Sequence, residues 1–414
     1  MSAPSIDGAR LLARLRQLGE VGRDAAGRLA RTAASDADKA GRDQLVAWLH
    51  GAGLDVVVDR VGNVFGLWPV EGGGAPVMLG SHVDTVVDAG IYDGSYGVLA
   101  ALAVMEALRA AGFRPARPLM LAAFTNEEGV RYTPDMMGSL VYAGGLDVQA
   151  ALSSVGTDGA VLGDELARIG YAGTVEPGFV RPHVYLELHI EQGPVLEHAG
   201  VAIGAVERLQ GISWQKVTIE GSANHAGTTP IAMRRDAGLA AARVTTFLRD
   251  ELARGDTVAT VGSLQLEPGV INIIPSRATF TVDLRDPDEA RLRAAEERLA
   301  GLLARLAADE RVEVSVERLV RLQPVTFDAR VCDMIERAAT ERGLTVRRMT
   351  SGAGHDAQMI ARLCPAAMIF VPSRDGISHS PREHTDPEHL VAGASVMLDV
   401  VSRLASATGF LKRD

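Results

Sequence analysis

The feature that most restricts the fold is an apolar segment that runs directly into a cluster of histidine and aspartate. Residues 75–79 are apolar and predict a buried strand, and they are followed by His82, Asp84 and, after a short spacer, Asp93. The alanine- and leucine-rich segment 98–111 then predicts a helix. In an open α/β sheet, ligands bind at the carboxyl ends of the strands. Because imidazole and carboxylate together suit zinc or a similar divalent cation, we expect this loop to bind metal.

Polar clusters also follow three later segments that are predicted to be strands. These strands are expected at 118–124, 183–188 and 366–371, and the polar residues after them are Glu127 and Glu128, His189 and Glu191, and His379 and Glu383. A single histidine at a strand end is more often a structural residue, and two adjacent glutamates usually lie on a solvated surface. Four such clusters are harder to explain in this way, because parallel strands bring their carboxyl ends to one crevice.

The length and the order of predicted elements indicate two domains. A chain of 414 residues is too long for one core of ordinary size. Between 211 and 324 the predicted order is strand, helix, strand, strand, helix, strand, with the first helix at 232–254. This order is the ferredoxin-like split unit (βαββαβ). We therefore predict an α/β fold in which residues 1–210 and 325–414 form one large domain and residues 211–324 form a small inserted domain.

The composition predicts a cytoplasmic protein that acts on small molecules. The net charge is −10, with acidic and basic residues interspersed, which argues against a nucleic-acid groove. No apolar run approaches the length of a membrane span, and residues 1–10 lack the apolar core of a signal peptide. We therefore expect neither a nucleic-acid nor a membrane partner. The two cysteines, Cys332 and Cys364, are expected to be reduced thiols.

Several motifs resemble a known clan of enzymes. They are His82-Val83-Asp84, Tyr92-Asp93-Gly94, Asn126-Glu127-Glu128-Gly129 and Ser378-His379-Ser380-Pro381, and they are similar to motifs of the aminoacylase/carboxypeptidase clan of two-metal amidohydrolases. The segments 189–193, 221–228 and 352–357 resemble the branch that contains N-carbamoyl-L-amino-acid hydrolases, allantoate amidohydrolases and β-ureidopropionases. The resemblance covers nearly the whole chain. It implies a mixed-sheet metallohydrolase catalytic domain and gives the inserted domain a role in dimerisation or as a lid.

The resemblance also implies a set of metal ligands. His82 and His189 would bind one divalent ion, Glu128 and His379 would bind a second, and Asp93 would bridge the two ions. Zinc is the metal expected from the ligand types. Manganese, cobalt and nickel remain alternatives, since availability often decides which metal occupies such a site.

Two further residues near these ligands receive roles from the resemblance. Asp84 would accept the second N–H of the His82 ring and so fix its tautomer. Glu127 would be the general base, which takes a proton from the attacking water and passes it to the departing nitrogen.

The substrate contacts are likewise implied by the resemblance. His225 would hydrogen-bond the developing oxyanion, Asn272 and Arg285 would bind the substrate carboxylate, and Gln192 and the backbone of Gly354 would line the pocket. From residue types alone, Asn272 could simply turn the chain and Arg285 could be a surface charge. In relatives, the residues at positions 225, 272 and 285 reach across from the partner subunit, which implies a homodimer.

These expectations lead to a predicted function. The chain is expected to hydrolyse the terminal ureido group of an N-carbamoyl-L-amino acid, giving the amino acid, ammonia and carbon dioxide. The partner would be a small ureido substrate that carries a carboxylate. Allantoate amidohydrolase and β-ureidopropionase are alternatives that the motifs do not separate. A non-catalytic metal- or ligand-binding protein is the alternative of another class, and Glu127 argues against it because such a protein has no need for a general base.

Overall fold

The computed structural model describes residues 3–71 and 73–406, and the chain forms two compact units. Unit 1 contains the residues up to 207 and from 327 onwards, and unit 2 contains residues 208–326. The predicted inserted segment, 211–324, falls within unit 2. Its role in dimerisation or as a lid stays a prediction. Within the described ranges, no helix is both long and apolar enough to cross a bilayer.

Most helices and strands lie in unit 1. The helices are α1 (Gly8–Glu20), α2 (Asp36–Gly51), α3 (Ser95–Ala110), α4 (Met137–Tyr142), α5 (Val148–Leu152), α6 (Leu162–Arg168), α7 (Val195–Ala199), α10 (Ala329–Glu341), α11 (Asp356–Ile360) and α12 (Pro387–Ser406). The strands are β1 (Asp55–Val58), β2 (Val64–Trp68), β3 (Val77–His82), β4 (Leu119–Phe124), β5 (Val184–Ile190), β6 (Ile203–Leu209), β11 (Val325–Thr326), β12 (Val346–Ser351) and β13 (Ala366–Val371). Two of these strands, β6 and β11, lie at the boundaries of unit 1 with unit 2.

These strands form one mixed sheet in the order β1-β2-β4-β3-β5-β13-β6-β11, with β12 paired to β6. The central strands β4, β3, β5 and β13 are parallel to one another, whereas β1, β2 and β6 run antiparallel to their neighbours. Every residue of the four central strands is buried, which explains their apolar sequences. Because these strands are parallel, their carboxyl ends lie along the same edge, and the predicted mixed-sheet α/β fold is confirmed.

Helix α3 fixes the loop that carries Asp93. The helix is apolar on nearly all sides and contacts both β3 and α12, as expected for a helix in the interior. It packs closely on the sheet at Gly97, where a Cβ atom would lie 2.5 Å from the carbonyl oxygen of Leu188. Since α3 begins at Ser95, its close packing limits where the preceding loop can lie.

Unit 2 has the predicted βαββαβ order. Its elements are β7 (Gly211–Glu220), α8 (Ala237–Phe247), β8 (Val258–Glu267), β9 (Arg277–Asp286), α9 (Glu289–Asp309) and β10 (Glu313–Leu322). The sheet is antiparallel with the order β10-β7-β9-β8. Buried and partly exposed residues alternate along β9, and the apolar residues of α8 and α9 cover one face of the sheet. Strand β8 is left at an edge.

The first helix of unit 2 is shorter than predicted. We expected it over 232–254, but α8 covers only Ala237–Phe247. Residues 231–233 instead form a separate 3₁₀ turn, and the side chain of Asp236 caps α8 by accepting the N–H of Leu239. At the other end, the hydrogen bonding changes to a π-helical turn at Leu248–Leu252. The prediction was wrong at both boundaries because the apolar periodicity continues through turns that are not α-helical.

Candidate functional site

Five side chains from the carboxyl edge of the unit 1 sheet converge on one place. His82 ends β3, Asp93 lies in the following loop, Glu128 follows β4, His189 belongs to β5, and His379 lies in the loop after β13. Their ligand atoms form two groups that share Asp93, and the atoms of each group lie within 4.8 Å of one another. We call them the first group (His82, Asp93, His189) and the second group (Asp93, Glu128, His379). The structure therefore brings together all five predicted ligands.

The two oxygens of Asp93 are divided between the groups. Its Oδ1 lies 3.5 Å from Nε2 of His82 and 3.2 Å from Nε2 of His189. Its Oδ2 lies 3.3 Å from Nε2 of His379, which is also 3.4 Å from Oε2 of Glu128. A carboxylate that faces two ligand groups with different oxygens is suited to bridging two cations.

The main chain sets the tautomer of the two histidines in the first group. Nδ1 of His82 lies 3.0 Å from the main-chain oxygen of Asp84, and Nδ1 of His189 lies 2.8 Å from that of Ile190. A carbonyl oxygen can only accept, so Nδ1 carries the hydrogen and Nε2 of each neutral ring presents a lone pair. In His82 that lone pair faces Oδ1 of Asp93, and in His189 it also accepts the main-chain N–H of Gly94 at 3.2 Å. A divalent cation between the two Nε2 atoms and Oδ1 would be bound by all three atoms.

A buried oxygen of Glu128 supports the same conclusion. Its Oε1 has no hydrogen-bond partner within residues 3–71 and 73–406. Burying an unpartnered carboxylate oxygen is costly unless a cation or donor compensates it. The donor set, the facing acceptors and this oxygen all fit divalent cations.

Asp84 has a different contact from the predicted one. Its carboxylate Oδ1 is 3.8 Å from Nδ1 of His82, beyond hydrogen-bond distance, and the ring donates to the main-chain oxygen of the same residue. The carboxylate instead accepts the main-chain N–H groups of Glu127 and Glu128, at 3.2 and 3.3 Å. Asp84 thus links the β3 loop to the β4 loop, because those two buried donors need an acceptor.

The turn that carries Glu127 is held by Asn126. The backbone of Asn126 has φ of 56°, in the left-handed region that asparagine tolerates better than most residues. Its Nδ2 donates to the carbonyl oxygens of Tyr132 and Pro134, at 2.9 and 3.0 Å. These contacts fix the turn, and Oε2 of Glu127 comes to lie 3.4 Å from Nε2 of His82.

Two carboxyl groups beside the centre, those of Glu127 and Glu128, have raised pKa values. Burial raises the pKa of Glu127 well above its usual value, and Asp356, Glu128 and Asp93 raise it further, although His82 opposes the shift. Burial and the charge of Asp93 raise the pKa of Glu128 to about 8. Carboxyl groups shifted in this way would return to the ionised form if cations bound beside them.

Gln192 and Gly354, the two residues predicted to line the pocket, also belong to unit 1. Nε2 of Gln192 lies 2.8 Å from Oδ2 of Asp93, so this side chain is in direct contact with the centre. Gly354 precedes His355, whose ring packs 4.6 Å from the ring of His189. A Cβ atom at Gly354 would lie 3.0 Å from Cε of Met136. Both predicted residues are thus near the ligands in the fold, while their contact with substrate stays a prediction.

His225 and Asn272 lie on neighbouring exposed loops of unit 2. The main-chain oxygen of Asn272 accepts the N–H of Ala226 at 2.9 Å. Nδ1 of His225 accepts the main-chain N–H groups of Gly227 and Thr228, at 3.0 and 3.1 Å. Nδ1 is therefore unprotonated in the neutral ring, and Nε2 carries the hydrogen. His225 is thus prepared to donate a hydrogen bond from Nε2.

Arg285 lies at the opposite end of the unit 2 sheet. Both loops leave the sheet beside Arg277, at the start of β9, whereas Arg285 is near the end of the same strand. The eight-residue separation along β9 corresponds to about 26 Å. Arg285 pairs with Asp283 at 2.9 Å and lies over the Trp214 ring. The structure therefore places Asn272 before β9 and Arg285 near its end, and their contact with one substrate from a partner subunit stays a prediction.

Sequence reasoning gave no role to two buried glutamates near the centre. Oε1 of Glu383 accepts the N–H groups of Tyr92 and Asp93, at 2.9 and 3.2 Å. Glu187, on β5, accepts from Ser81 Oγ at 2.7 Å and from the N–H of Ala357 at 2.8 Å. The available signal for Glu187 was a carboxylate inside an apolar strand, which needs buried partners. For Glu383 the only local signal was its position four residues after His379.

Residues 78–403 match the sequence profile of Peptidase family M20/M25/M40. The N-carbamoyl-L-amino acid amidohydrolase of Geobacillus stearothermophilus is 39% identical over 409 residues, which cover 97% of this chain and 99% of that protein. The allantoate amidohydrolase of Bacillus subtilis is 35% identical and is matched over 85% of this chain and 87% of its own.

A solved structure shows the same fold. The crystal structure of an amidase of the hydantoinase/carbamoylase family from Burkholderia multivorans is 41% identical and superposes with a TM-score of 0.93, over 98% of this chain and 100% of that one. The similarity thus includes both units. The chain therefore belongs to Peptidase family M20/M25/M40, a family of metal-dependent hydrolases, and the family resemblance of its motifs is confirmed.

Proposed function

We propose that this chain cleaves the terminal ureido C–N bond of an N-carbamoyl-L-amino acid and releases the amino acid, ammonia and carbon dioxide. The observation that carries the proposal is the position of Glu127. This buried carboxylate lies beside the five converging side chains but belongs to neither ligand group. A carboxylate in that position can take up and return a proton beside a bound substrate. The similarity to the carbamoyl amino acid amidohydrolase supports the same reaction.

The proposed centre holds two divalent cations, one in each ligand group. Bound there, the cations would polarise the ureido carbonyl group and lower the pKa of a nearby water molecule. Zinc suits the imidazole and carboxylate ligands, and manganese, cobalt and nickel are the alternatives. The lone pairs at Nε2 of His82 and His189 support this proposal, since their tautomers are set by main-chain acceptors.

The side chains of this protein would move the protons and stabilise charge. Glu127 would remove a proton from the attacking water and deliver it to the departing nitrogen. His225 would donate its Nε2–H to the developing oxyanion, where one fixed donor is worth about 3 kcal/mol. Asp84 would act indirectly, by holding the main chain of Glu127 and its neighbour. Gln192 and the backbone of Gly354 would line the substrate pocket.

We propose that the substrate carboxylate is bound by Asn272 and Arg285 from different copies of the chain. Their placement supports a homodimer, because Asn272 precedes β9 and Arg285 lies near its end, so that each copy would present one of the two residues to a given substrate. Exposed apolar side chains also support an interface. Leu264 and Leu266 are exposed on the edge strand β8, and Ile271 beside Asn272 is fully exposed. An apolar edge strand of this kind is suited to pairing with another copy.

An ammonia-release assay with a panel of substrates tests the function. The panel contains N-carbamoyl-L-methionine, its D enantiomer, N-carbamoyl-β-alanine and allantoate, each with zinc, manganese or cobalt supplied to the purified protein. We expect the L-amino acid derivative to give the highest kcat/KM. Allantoate amidohydrolase activity is the second candidate, because a relative of that name is matched over most of both chains. Faster turnover of allantoate or of carbamoyl-β-alanine would replace the proposal, and turnover of none would reject it.

A further inference from the structure

Glu383 connects two segments that are far apart in the sequence and that both carry metal ligands. Its side chain is buried, with 6% of the residue exposed. Oε1 accepts the N–H of Tyr92 at 2.9 Å, 291 residues away, and the N–H of Asp93 at 3.2 Å. Oε2 lies 3.1 Å from Oγ of Ser378, the residue before His379. One carboxylate therefore contacts the main chain of the bridging residue and the neighbour of a second-group ligand.

The hydroxyl of Ser378 extends this connection to the centre itself. Its Oγ lies 3.1 Å from Oδ2 of Asp93, which also accepts from Nε2 of Gln192 at 2.8 Å. The chain also leaves space for the carboxylate at Gly90. A Cβ atom there would lie only 2.2 Å from Oε1 of Glu383, so a larger residue at 90 would displace the carboxylate. The hydroxyl of Ser378 and the absence of a side chain at Gly90 therefore both favour the observed position of the Glu383 carboxylate.

The second group depends more on such support than the first. The three residues of the first group are all buried, and two of them belong to the strands β3 and β5. In the second group, the side chain of His379 is 52% exposed and lies on a loop. Its φ of 52° is in the left-handed region, which is unfavourable for a residue with a Cβ atom. Contacts outside the residue must therefore hold this loop in place.

We propose that Glu383 is a positioning residue that sets the affinity of the second group for a divalent cation. It does so by holding the main chain of Asp93 beside Ser378, so that His379 and the Oδ2 atom of Asp93 face the same point. Glu383 is not a ligand, since its Oε1 accepts two main-chain N–H groups and it belongs to neither ligand group. The inference rests on the proposed two-cation centre and adds a determinant of its affinity.

Metal titration of the apoprotein tests the proposal without measuring activity. Wild-type protein, Glu383→Ala and Glu383→Gln are freed of metal with a chelator and titrated with Zn²⁺, and the bound metal is counted by equilibrium dialysis. We expect two equivalents for the wild type. In the alanine variant, the affinity for the second equivalent should fall by about 10- to 100-fold while the first changes by less than about threefold. The glutamine variant should stay close to the wild type, because Oε1 still accepts both N–H groups and Nε2 can donate to Ser378.

Glu191→Ala is the matched control. Glu191 is equally buried, at 7% exposed, and it also accepts two main-chain N–H groups, but those belong to Val195 and Leu196 at the start of α7. Both zinc equivalents should bind to this variant with nearly wild-type affinity. The proposal would be overturned if Glu191→Ala lost as much affinity for the second zinc equivalent as Glu383→Ala. Removal of any buried carboxylate would then have the same effect.

Three other results decide the question. Unchanged binding of both equivalents by Glu383→Ala, or equal losses in the alanine and glutamine variants, would overturn the inference and leave the proposed function intact. A wild-type protein that binds no divalent cation would reject the proposed function and the inference with it. If Glu383→Ala does not fold, Gly90→Ala is the second variant, because the added Cβ atom would displace the carboxylate of Glu383 and contact no metal ligand. A loss of about threefold or more at the second equivalent supports the proposal, and no loss overturns it.

Discussion

Histidine is used in two opposite ways in the two units. In unit 1, His82 and His189 are each 1% exposed, and Nδ1 of each donates to a main-chain carbonyl oxygen. In unit 2, His225 is exposed, and its Nδ1 accepts two main-chain N–H groups. In the neutral rings, Nε2 therefore carries a lone pair in the first two and a hydrogen in the third. The main-chain partner at Nδ1 thus decides whether a ring can bind a cation or donate a hydrogen bond.

The two units also differ in whether their predicted functional residues lie close together. The five converging side chains lie within unit 1, on strands and loops that pack against one another. The predicted substrate contacts of unit 2 lie at two ends of one sheet and have exposed loops around them. Changes in unit 1 should therefore affect metal binding or proton transfer, and changes in unit 2 should affect activity without affecting metal content. Four experiments test this difference.

The largest effect is expected from Glu127→Gln. The amide keeps the size of the side chain but cannot take a proton from water, so kcat should fall by about 10³-fold. Metal content should stay at the wild-type level, because Glu127 belongs to neither ligand group. Steady-state kinetics and metal analysis on the same preparation measure both quantities. The exposed Glu388→Gln is the control, and near-normal turnover by Glu127→Gln would contradict the assigned role.

A smaller loss is expected from His225→Ala. Removal of one fixed donor to an oxyanion costs about 10²-fold in kcat. The bound metal should be unchanged, in contrast to His189→Ala, which removes a ligand of the first group. Measurement of metal content in both variants separates the two histidine functions. Loss of metal from His225→Ala would show that the difference in tautomer does not correspond to a difference in function.

The main elements of unit 1 could be predicted because each signal is local. Apolar runs such as 119–124 are followed at once by polar residues, and parallel pairing brings those ends together. The role of Glu383 could not be predicted in this way, since it depends on contact with a residue 291 positions away. The same limit applies to Asp84, where the choice between carboxylate and main-chain oxygen depends on which buried donors lie nearby.

In unit 2, the sequence already contained signals for the placement of Asn272 and Arg285 and for the start of α8. The sequence predicts a strand over 276–284, with Asn272 before it and Arg285 directly after it, so these residues were already expected at opposite ends of a strand, as β9 shows. Asp236, which caps α8, was likewise a visible helix start. The exposure of the loop around His225 is different, because it depends on what covers that surface in the assembled protein.

A smaller effect than that of His225→Ala, a decrease of about tenfold in kcat/KM, is expected from Arg234→Ala. This side chain donates to the carbonyl oxygens of Thr229 and Ala226, at 3.1 and 2.6 Å, and so holds the loop that carries His225. Two lost hydrogen bonds of about 1 kcal/mol each would leave the loop less ordered. Kinetics and amide hydrogen exchange of residues 222–230 measure the effect.

The neighbouring Arg235→Ala is the matched control for this experiment. Nε of Arg235 donates to the carbonyl oxygen of Arg311, outside the loop, at 2.6 Å. Its kcat/KM and the exchange of residues 222–230 should stay near the wild-type values. Equal effects of the two variants would show that the His225 loop has no particular dependence on Arg234.

The smallest effect, and the most direct test of the assembly, is complementation between two inactive variants. If His225 acts on a substrate bound to the partner subunit, a mixed dimer of Glu127→Gln and His225→Ala contains one site with both residues intact. One of the two sites in each mixed dimer is intact, so the doubly purified protein should recover about half of the wild-type activity per subunit. Co-expression with two affinity tags and kinetics of the doubly purified protein measure this. Failure to recover activity in a verified mixed dimer would place His225 in the site of its own subunit, and unit 2 would then complete its own metal centre.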